Sequence, residues 1–257
     1  NFKKLNLPLP PLDEQKRIAS VLDTVDGLRA KRRESIVQLD ALVQSTFLDM
    51  FGDPVSNPKG WKQTELANLV SDDDRINYGV VQPGADFPGG VPLIRVGDFA
   101  DGELNLADIK YIDPEIDAQY KRSKLLGTEL LVSCVGSIGT VCKVSHDVKG
   151  FNIARAVARV PLNAAVNRDF ILNCLRADGV QRYFVNETRT VSQPTLNISL
   201  IKKAPVTLPP LDLQRRFAET MEKIEQQKAR LRAHLDELDT LFASLQHREI
   251  GRASCRE

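Results

Sequence analysis

The chain has 257 residues, of which 42% are hydrophobic and 27% charged, with a formal net charge of +1. That balance suits one or two globular domains with a real core and excludes disordered and fibrous classes. No stretch approaches the ~18 consecutive apolar residues of a membrane span, and no signal-peptide pattern opens the sequence, so no membrane partner is expected. Cys134, Cys142, Cys174 and Cys255 follow no metal-ligand spacing, which predicts reduced thiols in a cytoplasmic protein. The sequence opens at Asn1 rather than Met, as a fragment or a processed chain would.

The first element in chain order is also the most informative. Leu9-Pro10-Pro11-Leu12-Asp13-Glu14-Gln15-Lys16-Arg17-Ile18-Ala19 returns as Leu208-Pro209-Pro210-Leu211-Asp212-Leu213-Gln214-Arg215-Arg216-Phe217-Ala218, at an offset of 199. Each copy opens a helical pattern. Pro-Pro cannot continue a helix backwards, and Asp13 or Asp212 is the expected N-cap. In the second copy, steps of four and three pick out Phe217, Met221, Ile224, Lys228, Leu231, Leu235, Leu238, Phe242 and Leu245. This is the apolar seam of a heptad coiled coil. The first copy gives Ile18, Leu22, Val25, Arg29, Arg32, Ile36, Leu39, Val43 and Thr46. Neither stripe can be hidden alone, and one insert links the two helices, which predicts an antiparallel intramolecular pair. Two separate amphipathic helices on a globular core are the alternative. The cations at 29, 32 and 228 are expected to snorkel out of the seam; setting register and orientation is the other reading. The first helix should end before Gly52-Asp53-Pro54.

The insert between the helices reads as mixed and strand-rich. Gly60-Trp61 leads into a strand and a short helix, with Trp61 as a core anchor. Residues 91–96 and 130–135 have strand composition. Residues 153–160 alternate, with alanines on one face and Ile153, Arg155, Val157 and Arg159 on the other. Residues 168–186 read as helix. Gly136-Ser137-Ile138-Gly139-Thr140 lacks the Gly-Lys-Ser/Thr of a P-loop and fails the dinucleotide fingerprint, so a tight hairpin is preferred to a nucleotide cradle. Asp72-Asp73-Asp74 reads as a solvated acidic loop rather than a metal cluster. No catalytic arrangement can be assembled from the scattered His146, His234 and His247.

Charge is unevenly spread along the insert. Residues 56–117 carry 12 acidic against 5 basic residues, and residues 118–203 carry 13 Lys/Arg against 5 acidic. This would give a positive surface for a polyanion, unless the charges interleave in the fold and cancel. The basic half also holds side chains suited to base edges, where Arg and Lys pair with guanine and Asn and Gln with adenine. The candidates are Lys121, Arg122, Lys124, Lys143, Lys149, Asn152, Arg155, Arg189, Gln193 and Asn197; each taken singly is an ordinary surface residue.

The duplicated Pro-Pro-Leu-x-x-Gln motif around an insert of about 150 residues resembles the specificity subunits of Type I restriction–modification systems. Gly60-Trp61, Gly136-Ser137-Ile138-Gly139, Asn152-Ile153-Ala154-Arg155 and Asn197-Ile198-Ser199 fit the same pattern. The resemblance spans about residues 5–247. It implies an α+β fold: a globular, strand-rich target recognition domain, plus two long conserved helices forming an antiparallel coiled coil. The segments would be a first conserved region at 1–52, a recognition domain at 53–205, a second conserved region at 206–247 and a disordered tail or cloning scar at 248–257. It further implies a non-catalytic subunit that reads one half of a split double-stranded DNA target and docks methyltransferase subunits. Restriction subunits would join through the complex, with S-adenosylmethionine, ATP and Mg on partner chains and no cofactor in this one. Because one recognition domain is present where the complete pattern has two, the chain resembles a C-terminal half, truncated or naturally split. A second half or a homodimer would then be needed. The competing reading is a coiled-coil scaffold whose insert binds protein.

Overall fold

The computed structural model describes residues 11–100, 103–188 and 194–253. Contacts divide the chain into two units, Asn1–Val43 with Met221–Glu257, and Gln44–Thr220. The elements in order are α1 (Leu12–Phe51), β1 (Lys62–Glu65), β2 (Asn77–Tyr78), β3 (Val91–Ile94), β4 (Phe99–Ala100), β5 (Glu103–Leu104), β6 (Lys110–Ile112) and α2 (Pro114–Gln119). They continue with β7 (Leu130–Ser133), β8 (Val141–Lys143), β9 (Asn152–Ile153), β10 (Val157–Val160), α3 (Arg168–Arg176), α4 (Asp178–Thr188), α5 (Ile198–Lys202), β11 (Pro205–Leu208) and α6 (Leu211–Ala253).

The first unit is the helix pair. Both helices begin one residue after Pro-Pro, with the Pro11 carbonyl accepting from the Gln15 N–H and the Pro210 carbonyl from those of Leu213 and Gln214. Asp13 and Asp212 therefore lie inside the first turn, where a carboxylate favours the positive end of the helix dipole, and are not the caps expected of them. α1 ends where Gly52 takes a φ of +74° and its N–H returns to the Leu48 carbonyl, a left-handed cap open to glycine. α6 continues to Ala253, so the described part of the segment assigned to a disordered tail is helical.

Every seam position is buried or half-buried, from Ile18, Leu22, Val25, Ile36, Leu39 and Val43 on α1 to Met221, Ile224, Leu231, Leu235, Leu238, Phe242 and Leu245 on α6. Arg29 bonds Asp239 at 2.5 Å while Lys228 bonds Asp40 at 2.8 Å. Advancing along α1 thus means retreating along α6, and the helices pack as an antiparallel coiled coil. The pattern is duplicated in detail. Arg29 also pairs with Asp26, and Lys228 with Glu225; the offset of 199 carries Asp26, Arg29 and Asp40 onto Glu225, Lys228 and Asp239. The two clusters are therefore copies of one arrangement related by a two-fold axis.

Lys228 does not snorkel: its side chain is 7% exposed. Burial opposes its charge, but the carboxylates of Asp40 and Glu225 outweigh burial and raise its pKa. Arg29 lies 4.4 Å over the Phe242 ring, a cation–π contact available because the guanidinium is held within the seam.

Among its described residues, the second unit is built on four small sheets. The largest has the order β2-β10-β7-β8, all antiparallel. A second, β6-β3-β9, pairs β3 with β9 in parallel; β1 pairs with β11, and β4 with β5. Every residue of β7 and β10 is buried, as strands covered on both faces require. Ile94, Leu125, Leu131, Ile153 and Val157 form part of the core between these sheets. Residues 153–160 are not one alternating strand. The chain leaves the three-stranded sheet at Ile153, turns through Arg155 and enters the four-stranded sheet at Val157. Gly79 permits this crossing, since a Cβ there would lie 1.6 Å from the Ile153 carbonyl oxygen. The helix expected over 168–186 is two helices, interrupted at Ala177.

Where the long helices lie within this unit, four rings close the core. Phe47 and Phe51 of α1, Phe170 of α3 and Phe217 of α6 have ring centroids 4.8–5.6 Å apart, mostly tilted or edge-on, the arrangement favoured by ring quadrupoles. Trp61, expected to anchor the core, is only half-buried; its indole N–H donates to the Phe51 carbonyl at 3.1 Å.

Candidate nucleic-acid interface

The cations singled out by sequence fall into two groups. Lys124 is half-buried and bound to Asp117 at 2.5 Å, and Lys143 is ion-paired with Asp169. Asn152 is fully buried. By contrast Lys121, Arg122, Lys149 and Arg155 are exposed, and none of the four has a side-chain partner among the described residues. Asn197 is the N-cap of α5, its Oδ1 accepting from the Leu200 N–H at 3.0 Å. Arg189 and Gln193 lie outside the described residues.

A chain of hydrogen bonds assembles one polar face from segments distant in sequence. The Tyr78 hydroxyl donates to the Leu196 carbonyl and accepts from the Ile198 N–H. Leu196 donates its N–H to the Cys134 carbonyl, and Cys134 donates its own to Ala156. Arg155 donates its backbone N–H to Val80, and its charge reaches the Tyr78 hydroxyl. Burial raises the Tyr78 pKa, and Cys134 adds to it, so the hydroxyl stays protonated and can both donate and accept. A cavity of about 610 Å³ adjoins this face, lined in part by Asn77, Tyr78, Gln119, Lys121 and Arg122. The buried Oδ1 of Asn77 accepts no hydrogen bond among the described residues.

Buried polar side chains support this face from behind. Arg159, read as one residue of an alternating strand face, is buried with Glu129 at 2.8 Å and Asp74 at 2.7 Å. Asp74 is therefore not simply solvated: burial raises its pKa, but Arg159 and Arg75 together outweigh burial and lower it. Asn77, Tyr78 and Gln119 carry no mark in the sequence reading, and Arg159 figures there only as one position of a strand face. The run Gln119-Tyr120-Lys121-Arg122 was the available signal, an aromatic set among polar groups.

The Gly136–Gly139 segment is a hairpin loop between β7 and β8, longer than the tight turn expected. The Gly139 N–H is bonded to the Ser133 carbonyl, Ile138 to Gly136, and Thr140 to the Ser133 hydroxyl. Those N–H groups are occupied and do not form a phosphate cradle. Among the described residues no cluster of His, Cys, Asp or Glu could hold a metal, and no helix is long and apolar enough to cross a membrane. Burial raises the thiols of Cys134, Cys142 and Cys174 to about 12, which leaves them protonated and unreactive.

The model of the Type I restriction modification DNA specificity domain matches residues 1–38 and 60–239. The Type I restriction enzyme EcoBI specificity subunit of Escherichia coli is 36% identical over 245 residues, covering 85% of this chain and 51% of that protein. The StySPI specificity subunit of Salmonella potsdam is 26% identical, covering 88% and 51%. The chain thus spans about half the length of the curated relatives it matches. Among solved structures, the Type I restriction–modification S subunit of M. genitalium superposes with a TM-score of 0.61 at 15% identity, over 96% of this chain and 62% of that one. That likeness concerns the fold.

Proposed function

The chain belongs to the Type I restriction modification DNA specificity family, and from that premise we propose that it is a non-catalytic, sequence-specific DNA-recognition unit. It reads one half of a split target in double-stranded DNA and docks methyltransferase subunits, with restriction subunits joining through the complex. Methyl transfer from S-adenosylmethionine and ATP- and Mg-dependent steps belong to those partners, and the assembly works in the cytoplasm. The observation that carries the reading is the family match itself, which takes in the first part of α1, most of the domain that follows it and the greater part of α6. The exposed, unneutralised cations at Lys121, Arg122 and Arg155 supply chemistry consistent with it.

A second copy, or a second half on another chain, would complete a split target. The two-fold relation of the helix pair supports this. Arg29 and Asp40 stand on one helix, and Lys228 and Asp239 on the other, so each helix supplies the cation of one cross-helix pair and the acid of the other.

Fluorescence titration of labelled duplexes across a salt series tests the recognition reading. Binding should weaken with salt, because phosphate contacts release counterions, and Arg155→Glu should weaken it further while leaving assembly with methyltransferase subunits intact. Salt-independent affinity without sequence preference, alongside intact assembly, would favour an insert that binds protein.

A further inference from the structure

Two separate buried networks converge on one exposed turn. The turn at Lys121–Ser123 follows α2 directly. From β9, the buried Asn152 side chain donates to Asp117 at 2.9 Å and to the Tyr120 carbonyl at 3.3 Å, and accepts from the Ser123 hydroxyl at 2.6 Å. From β10, Arg159 bonds Glu129 and Asp74 and reaches the Arg122 carbonyl at 3.4 Å. Glu129 in turn accepts from the backbone N–H groups of Leu126, Gly127 and Thr128. The backbone on both sides of Lys121 and Arg122 is thereby tied to side chains inside the core.

Such networks are a poor way to gain stability, because apolar residues of equal volume generally do as well. What they provide is position. A cation that only meets phosphates works on a flexible stem, whereas reading a base edge needs the donor held in a fixed place. Next to the turn, Lys124 is neutralised by Asp117. Lys121 and Arg122 are exposed without a partner among the described residues, beside the cavity that Asn77 and Gln119 help to line.

We propose that Lys121 and Arg122 are specificity-determining residues that read guanine edges in the major groove of duplex DNA, and that Asn152 and Arg159 are positioning residues holding the turn for that purpose. The inference rests on the DNA-recognition reading above. Guanine follows from the chemistry, since its O6 and N7 are adjacent acceptors and both side chains are pure donors.

The test is selection from a randomised-duplex library by the full chain and its variants, followed by titration of the selected duplex and an unselected one. The unaltered chain should enrich a motif containing guanine. Arg122→Ala or Lys121→Ala should make one guanine position degenerate and weaken the selected duplex by about 5- to 150-fold, the span of one lost bidentate contact, with little change for the unselected duplex. Lys149→Ala, on the exposed turn after Val148, should weaken both duplexes alike. Ser123→Ala removes only the hydroxyl that Asn152 accepts from, so the chain should keep its fold yet relax the same position as Arg122→Ala. An unchanged motif from both cation variants, or equal losses on both duplexes, overturns the reading role. Early melting of Ser123→Ala and Asn152→Ala with an unchanged motif overturns the positioning role. If the unaltered chain enriches no motif, the DNA-recognition reading falls as well.

Discussion

The helix pair and the domain between the helices both take charge out of water, and they do so differently. In the pair, one arrangement occurs twice: a cation in the seam, an acid one turn before it, and a second acid on the facing helix. The acids at 40, 225 and 239 remain 41–53% exposed, so each cluster keeps access to water. In the domain, Arg159 and Glu129 are 3% and 0% exposed, and their network has no second copy among the described residues. The first pattern fits a register device that a two-fold frame can repeat. The second holds one particular turn in one particular place.

Replacing Arg159 with Ala should have the largest effect. It strands a fully buried carboxylate at Glu129, and losing one partner of a buried pair costs about 3–5 kcal/mol, read as a lower urea midpoint. Next is Gly79→Ala, where the new Cβ would overlap the Ile153 carbonyl. An overpacked site of this kind costs about 1–3 kcal/mol or more, and circular dichroism melts should show it. Asp74→Asn should be milder, because Glu129 still holds Arg159. The Asp74 pKa is lowered in the folded chain. Its contribution is therefore present above the ordinary carboxylate value of 3.8 and lost as pH falls through the lower folded value. Urea midpoints of Asp74→Asn and the unaltered chain should differ at neutral pH and converge on acidification.

Lys228→Met should have the smallest effect, within about 1 kcal/mol, since an apolar side chain suits the seam and the acids it leaves behind can hydrate. A loss as large as that of Arg159→Ala would erase the distinction between the two regions.

The helix pair was legible almost entirely in the sequence. A duplicated motif marked where both helices begin, though not where α6 ends, and a sustained period of four and three gave the seam in both copies. What escaped was the role of the charged positions, because Asp40 and Asp239 lie off the seam and match Arg29 and Lys228 only across the pair. The domain was harder to read. Short strands carry weak periodicity, and residues 153–160 alternate although the chain changes sheets at Arg155. Asn152 and Lys124 look like surface ligands by residue type, yet Asn152 is drawn inward by distant partners at Asp117 and Ser123, and Lys124 by Asp117 alone. Lys121 and Arg122 stand out because no acid among the described residues neutralises them, a property of the fold that local sequence does not carry.

The most direct measurement of the central claim is a profile of methylated adenine motifs in the source genome, with and without this gene. A recognition unit predicts that at least one split motif loses its methylation when the gene is removed and regains it on complementation. A methylation profile unchanged in every motif would contradict the account.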